Sequence, residues 1–421
     1  MDQELKVAGA ATRELLIETV GAQGDGLVAG PIYAPLTLPG ERVTARVSGD
    51  RAELESVLAP SPERVEPPCP HFGHCGGCAL QHWAHEPYLA WKAEQIRLVL
   101  GRERLETEIL APFAVQPGAR RRVALHARRD GGRVRLGFKA RRSWSLVEIE
   151  TCPVSDPALV AAFPALRQLA GAFFEHPKSA PTLHVTLTDT GLDIDVTGVE
   201  RRKGGGLSAD GLMRAAAAAQ AADFARVTLA GEIVYQARQP MVRVGPASVA
   251  LPAGAFLQAS AAAEGAMAEF ALEAVGEAAR VADLFCGVGA FSFRLARKAS
   301  VYAADAAAPA VRALSAACAS APGLKPITAE ARDLTRRPLL APEMKKLDAV
   351  VFDPPRAGAF EQAGEIARSG VARAVGVSCN PVTFARDARI LADAGFRLTR
   401  LKPVDQFLWS PHVELVGVFE R

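Results

Sequence analysis

Residues 280–291 read Arg-Val-Ala-Asp-Leu-Phe-Cys-Gly-Val-Gly-Ala-Phe. An apolar run reaches Leu284, and Gly287 and Gly289 follow at once. Two glycines so spaced let a strand turn sharply into a helix and let backbone approach a ligand closely. Asp305 closes the next apolar run, VYAAD (301–305). An acid there can accept hydrogen bonds from ribose hydroxyls. The order strand, glycine turn, helix, strand, acid points to a nucleoside cofactor. The loop is not Gly-x-Gly-x-x-Gly, and no Lys-Ser or Lys-Thr follows it. S-adenosylmethionine is therefore favoured over a dinucleotide or a nucleoside triphosphate.

The same alternation continues to the last residues. PITAEA (326–331), LDAVVFD (347–353), ARAVGVSC (372–379), FRLTRL (396–401) and HVELVGVFE (412–420) read as strands. Pro309–Ser320 and Thr383–Ala394 read as helices between them. Apolar strands alternating with helices predict a parallel, doubly wound sheet. No helix separates the last two strands, so one is expected to enter antiparallel at the edge. Ligands bind at the carboxyl ends of strands in such sheets. Three motifs fall there: Asp353-Pro-Pro-Arg356, Ser378-Cys-Asn-Pro381 and His412-Val-Glu414. Asp353 is placed to meet a cofactor or a base. Cys379 precedes a helix whose dipole would stabilise a thiolate nucleophile. Glu414 is a candidate general base. Cys286 in the glycine loop and Cys318 in a helix read as structural.

Upstream, residues 12 to about 60 read as short strands, suited to a small barrel of the oligonucleotide-binding type. APSPERVEPPCPH (59–71) reads as a linker and Pro87–Arg102 as a helix. Residues 119–142 hold ten Arg or Lys against one acid, Asp130. Asp-Gly-Gly in their middle signals a hairpin, and LHVTLTDTGLDIDV (183–196) signals a second. Arg suits bidentate phosphate contact, so the run is a candidate nucleic-acid surface. Cys69-x5-Cys75-x2-Cys78, with Cys152 far downstream, suits one iron–sulfur cluster better than a zinc ribbon, which needs a second knuckle. Zinc and unligated thiols stay open as alternatives.

The 421 residues, 49% hydrophobic and 23% charged, allow two to three domains with sizeable cores. There is no run of about 20 uncharged apolar residues. The start, MDQELKVAGAA, lacks the features of a secretory signal. A cytoplasmic monomer that does not enter membranes is expected. The net charge of +3 argues for no partner by itself.

Taken in order, Cys-x5-Cys-Gly-Gly-Cys followed by Gln81-His82, Cys152, Phe256-Leu-Gln258, DLFCGVG, DPPR, SCNP and HVE resemble the S-adenosylmethionine-dependent RNA uracil-5-methyltransferases, in the iron–sulfur branch that acts on 23S ribosomal RNA. The resemblance implies three domains: a TRAM-like RNA-binding barrel over 1–60, a central α+β iron–sulfur domain over 61–250, and a class I (Rossmann-like) methyltransferase domain over 251–421. It implies that Cys379 attacks uracil C6 and that Glu414 removes the C5 proton. Gln258, Phe285, Gly287, Asp305, Asp333 and Asp353 would hold S-adenosylmethionine. Cys69, Cys75, Cys78 and Cys152 would hold a [4Fe–4S] cluster. Two positions depart from the family pattern: Ser260 stands where Asn is usual, and Ala290 stands where Asn often follows the second glycine. Each is expected to remove a polar contact near the cofactor or base. The competing expectations are methylation of cytosine C5 or an exocyclic amine, of a transfer-RNA uridine, or RNA binding without catalysis.

Overall fold

A strand buried on both faces must be apolar at every position, whereas one wet face imposes alternation. The last third of the chain has the first pattern. In the computed structural model, which describes residues 11–30, 32–200 and 207–421, seven of its strands form one sheet: β1 (Arg280–Leu284), β2 (Ser300–Asp305), β3 (Ile327–Ala331), β4 (Ala349–Phe352), β5 (Arg373–Ser378), β6 (Arg397–Asp405) and β7 (Glu414–Glu420). Their order is β3-β2-β1-β4-β5-β7-β6. Strands β1 to β5 run parallel. Strand β7 is antiparallel to both neighbours. The antiparallel strand therefore lies between β5 and β6, not at the edge. Its sequence explains the place, because six of its seven residues are buried. Two short strands, Glu108–Ile109 and Phe113–Ala114, pair with the outer side of β6.

Two compact units are distinguished: Met1–Gln95 with Lys139–Val147 and Trp409–Pro411, and Ile96–Phe138 with Glu148–Leu408 and His412–Arg421. The first unit holds a six-stranded sheet in the order Ala11–Leu16, Arg42–Ser48, Arg51–Ala59, Ile32–Pro35, Asp25–Val28, Thr19–Val20. Its core includes Leu15, Ile17, Val43, Ala45 and Val47. The proline-rich stretch after it is not a loose linker. Arg64 within that stretch donates from Nη2 to Glu41 Oε2 and to the Leu36 carbonyl, both at 2.8 Å. Glu41 is fully buried and also accepts from the Leu38 and Ser61 amides.

The second unit holds the sheet of β1 to β7 and six strands of a further sheet, in the order Arg133–Lys139, Arg122–Asp130, Thr182–Thr188, Gly191–Thr197, Arg226–Leu229, Glu232–Gln236. Both expected hairpins are present, closing at Asp130↔Arg133 and Thr188↔Gly191. A buried bidentate pair, Arg226 on Asp193 at 2.8 and 2.7 Å, ties the parallel strands beside the second hairpin. Among the described residues no helix is long and apolar enough to cross a membrane.

Gly376 on β5 faces Gly417 on β7 in register. A Cβ on Gly417 would lie 2.4 Å from the Phe384 ring, and one on Gly376 would lie 2.9 Å from the Phe352 ring. The absent side chains let two aromatic rings press onto the middle of the sheet. Gly417→Ala should therefore cost about 1–3 kcal/mol as overpacking. Gly364→Ala, in the helix Phe360–Arg368 with no Cβ contact closer than 3.6 Å, should be stabilising. Chemical-denaturation midpoints moving in opposite directions would confirm this.

Candidate active site

The parallel strands end on one side of the sheet, and β7 begins there because it runs the other way. The last paired residues of β5 and β7 are Ser378 and Leu415. One step further along that antiparallel register, Cys379 stands opposite Glu414. Both line a cleft of about 730 Å³ in the second unit, and so do Gln258, Phe285, Gly287, Asp305, Asp333 and Asp353. Every residue expected to hold cofactor or do chemistry thus reaches one cleft, within the size range of small-molecule sites.

The turn after β1 has the backbone its sequence demands. Gly289 has φ +99°, and a Cβ on it would lie 2.7 Å from Phe293. Phe285 has φ +64°, a left-handed conformation that costs a non-glycine residue about 1–3 kcal/mol. Two backbone bonds hold it, from the Phe285 and Cys286 amides to the Ala304 carbonyl at 2.8 and 3.1 Å. Asp305 accepts from the Gly287 amide at 3.0 Å and from the Ala307 amide at 2.7 Å, so its carboxylate is fixed at the mouth of the turn. Asp333 caps its own turn through the Thr335 and Arg336 amides. Beneath the turn, burial pushes the Asp283 carboxyl up to about 7; it accepts the Ser292 hydroxyl. Cys286 is buried, as a structural residue would be.

Three acidic groups share the cleft, Glu414 buried and Asp353 and Cys379 half-buried by exposure. Burial, opposed by a hydrogen bond from Gln406, raises Glu414 to about 7. Burial and the charge of Glu414 hold Asp353 well above the usual carboxylate range. Burial, then Glu414, then Asp353 push the Cys379 thiol up to about 11. The helix that follows does begin beside Cys379, with Asn380 as its N-cap accepting from the Val382 amide at 3.1 Å. Its dipole does not prevail: loss of solvation and two carboxylates outweigh one helix terminus.

Sequence reasoning missed Gln406, just past β6. Its Nε2 donates to Gln258 Oε1 at 2.8 Å and to Glu414 Oε1 at 2.9 Å. Its Oε1 accepts from the Ala259 amide at 3.0 Å. A glutamine in a loop carries no periodic signal. Neither Ser260 nor Ala290, the two departures from the family pattern, is among the residues that line the cleft. Ser260 is buried as the N-cap of the helix Ala261–Val275, a role Ser and Asn fill equally.

The basic run is largely engaged within its own units. Arg121, buried, donates to the Gln258 carbonyl at 3.1 Å and to Glu264 at 2.7 Å. Arg122 donates to the Leu257 carbonyl, and burial lowers its guanidinium to about 10. Arg133 and Arg135 pair with Glu148, and Arg141 and Arg142 with buried Asp25. The run is thus not an unspent row of phosphate contacts. Near its end, Lys139 Nζ sits 3.8 Å over the ring of Trp144, which is 78% exposed.

Cys69, Cys75 and Cys78 lie in the first unit and Cys152 in the second, all half-buried. The Gly77 amide donates to Cys75 Sγ and the Ser155 hydroxyl to Cys152 Sγ, at 3.4 and 3.3 Å. Among the described residues no three His, Cys, Asp or Glu are grouped to hold a metal ion. No chemical step below runs through a cluster.

A sheet of this order, with a glycine turn after β1, an acid ending β2 and a cleft at the strand ends, defines an S-adenosylmethionine-dependent methyltransferase of the doubly wound type. The family described as tRNA (Uracil-5-)-methyltransferase matches residues 248–421. An uncharacterized RNA methyltransferase of Caulobacter vibrioides is 66% identical over 415 residues, covering 97% of this chain and 100% of the relative. The 23S rRNA (uracil(1939)-C(5))-methyltransferase RlmD of Alkalilimnicola ehrlichii is 34% identical, covering 97% of this chain and 96% of its own. A crystal structure of tRNA (uracil-54, C5)-methyltransferase from Pyrococcus abyssi with S-adenosyl-L-homocysteine shares the fold, with TM-score 0.72 at 22% identity over 96% of this chain and 99% of that one. The chain belongs to the RNA uracil-5-methyltransferase family, and it is an enzyme of that class.

The raised pKa of Glu414 links to stability. Its usual value is 4.5 and its folded value about 7, so the fold favours the neutral form. That contribution is complete below pH 4.5 and is lost as pH rises through about 7. Glu414→Gln, neutral throughout, should be stabilised relative to the parent at pH 8, by on the order of 3 kcal/mol, and little changed at pH 4.5. Thermal unfolding at the two pH values measures the difference.

Proposed function

We propose that the protein methylates C5 of a uridine in RNA, 23S ribosomal RNA in preference, through a covalent bond between Cys379 and C6. The observation that supports this most is Glu414 Oε2: buried, without a hydrogen-bond partner, on the cleft that also holds Cys379. An orphaned carboxylate oxygen costs free energy, and a site that tolerates it has a use for an acceptor there.

C5 of uracil is a poor nucleophile. Cys379, its thiol proton lost to water, forms an S–C6 bond, and the C5–C6 π pair moves toward C5 and O4. S-adenosylmethionine, when bound, supplies an electrophilic methyl group that C5 takes. C5 then carries both hydrogen and methyl. Glu414 accepts that hydrogen as a proton, the C5–C6 double bond re-forms and the S–C6 bond breaks, releasing Cys379. A base of pKa about 7 is half ionised at neutral pH, which suits the task. Asp305 and Asp333, at the mouth of the glycine turn, would meet ribose and adenine. Phe285, Gly287, Gln258 and Asp353 would line the rest of the donor site. The target base must leave its stack to reach Cys379.

The N-terminal sheet would serve as a TRAM-type RNA-binding module, with Lys139 and Trp144 as a stacking contact. The divisions 1–60, 61–250 and 251–421 are proposed as the functional domains, in a cytoplasmic monomer.

The test is methyl transfer to RNA from a strain lacking the gene, followed by nucleoside mass spectrometry of separated ribosomal and transfer RNA. The parent should form 5-methyluridine in ribosomal RNA. Cys379→Ala should form none. Glu414→Gln should accumulate RNA bound covalently to protein, because the last proton cannot leave. 5-Methylcytidine, a methylated amine, or activity surviving Cys379→Ala would overturn the reading. Product confined to transfer RNA would overturn the ribosomal assignment alone.

A [4Fe–4S] cluster on Cys69, Cys75, Cys78 and Cys152 is proposed from their spacing and the family resemblance. Anaerobically purified protein should contain iron and acid-labile sulfide in equal amounts with broad visible absorbance, lost in Cys75→Ser. Zinc, or no metal, would reject it.

A further inference from the structure

The cleft is held from both sides by one side chain that no motif includes. Gln406 is buried. Both hydrogens of its Nε2 are used, one toward Gln258 Oε1 at 2.8 Å and one toward Glu414 Oε1 at 2.9 Å. Its Oε1 meets the Ala259 N–H at 3.0 Å. These partners allow only one orientation of the amide. Turned over, its oxygen would face two acceptor oxygens and its NH2 would face an N–H. The orientation propagates. Because Gln258 Oε1 must accept, Gln258 Nε2 points the other way and donates to Asp353 Oδ2 at 2.9 Å. Glu414 is fixed by one oxygen, and the other is left without a partner.

We propose that Gln406 is a positioning residue: it aims Glu414 Oε2 at the base and, through Gln258, sets which face of that amide Asp353 meets. The inference rests on Glu414 being the proton acceptor. It assigns to Gln406 two effects that removing a packing group would not produce. The first is electrostatic: the Gln406 N–H is the bond that holds Glu414 down against burial, so its loss raises the pH at which the base ionises. The titratable groups facing Glu414 are Cys379 at the end of β5 and Asp353 at the end of β4, and Arg356 lines the same cleft. None of these is altered by the substitution. The second is orientational: without Gln406, Gln258 is free to turn its oxygen toward Asp353, which repels that carboxyl whenever it is ionised.

The test compares Gln406→Met, similar in length but without donors, with the parent over pH 5.5–9.5, using RNA as substrate. The expected result is an ascending limb of kcat moved up by about one pH unit, with KM for RNA unchanged and activity returning toward the parent value at high pH. If Gln406→Met does not fold, Gln406→Glu carries the test. It donates at most one hydrogen and adds a carboxyl beside Glu414, so its limb should move further up. A folded variant whose limb stays in place, or whose activity falls equally at every pH, would overturn the proposal. Glu414→Gln runs in parallel. If it traps no covalent RNA, the base assignment itself has failed. If it traps RNA while the Gln406 variants keep the parent profile, only the role of Gln406 has failed.

Discussion

The register between β5 and β7 is the constraint on which the rest of the site depends. Ser378 pairs with Leu415, so a thiol and a carboxylate from opposite strand termini are brought face to face. A parallel strand in that slot would put its own carboxyl end there, and the residue that opens β7 would lie at the far side of the sheet. The antiparallel return is possible because β6 leaves the place beside β5 empty, and β7 is apolar enough to fill it. The slot is narrow, hence the facing glycines under Phe352 and Phe384.

That arrangement packs three ionisable groups into a poorly solvated space, and each makes the others harder to ionise. Burial first, then Glu414 and Asp353, push the Cys379 thiol up to about 11.

Most of the strand and helix pattern was legible in the sequence, because apolar runs and turn residues reflect the two-sided burial of the sheet. The cleft residues were legible because strand ends converge by topology: Asp353, Cys379 and Glu414 are far apart in sequence yet each stands at a strand terminus. What escaped was pairing. Sequence shows that Arg121 and Arg133 are charged, not that Glu264 and Glu148 await them. It shows a cysteine before a helix, but not the carboxylates that cancel the dipole. Gln406 and Ser260 escaped because a buried amide and a helix cap look like any loop residue. The place of β7 escaped because alternation predicts neighbours in the chain, not neighbours in the sheet.

The two arginines that hold Leu257 and Gln258 bear on how the enzyme can diverge. Arg121 and Arg122 belong by sequence to a basic run and by structure to the wall of the cleft. A lineage adapting this run to a different RNA would lose a buried carboxylate's partner at Arg142 but no ion pair at Lys139, whereas each change at 121 or 122 also moves the amide that faces Asp353. At those two positions a change of charge is also a change in the cleft wall, and at Lys139 it is not.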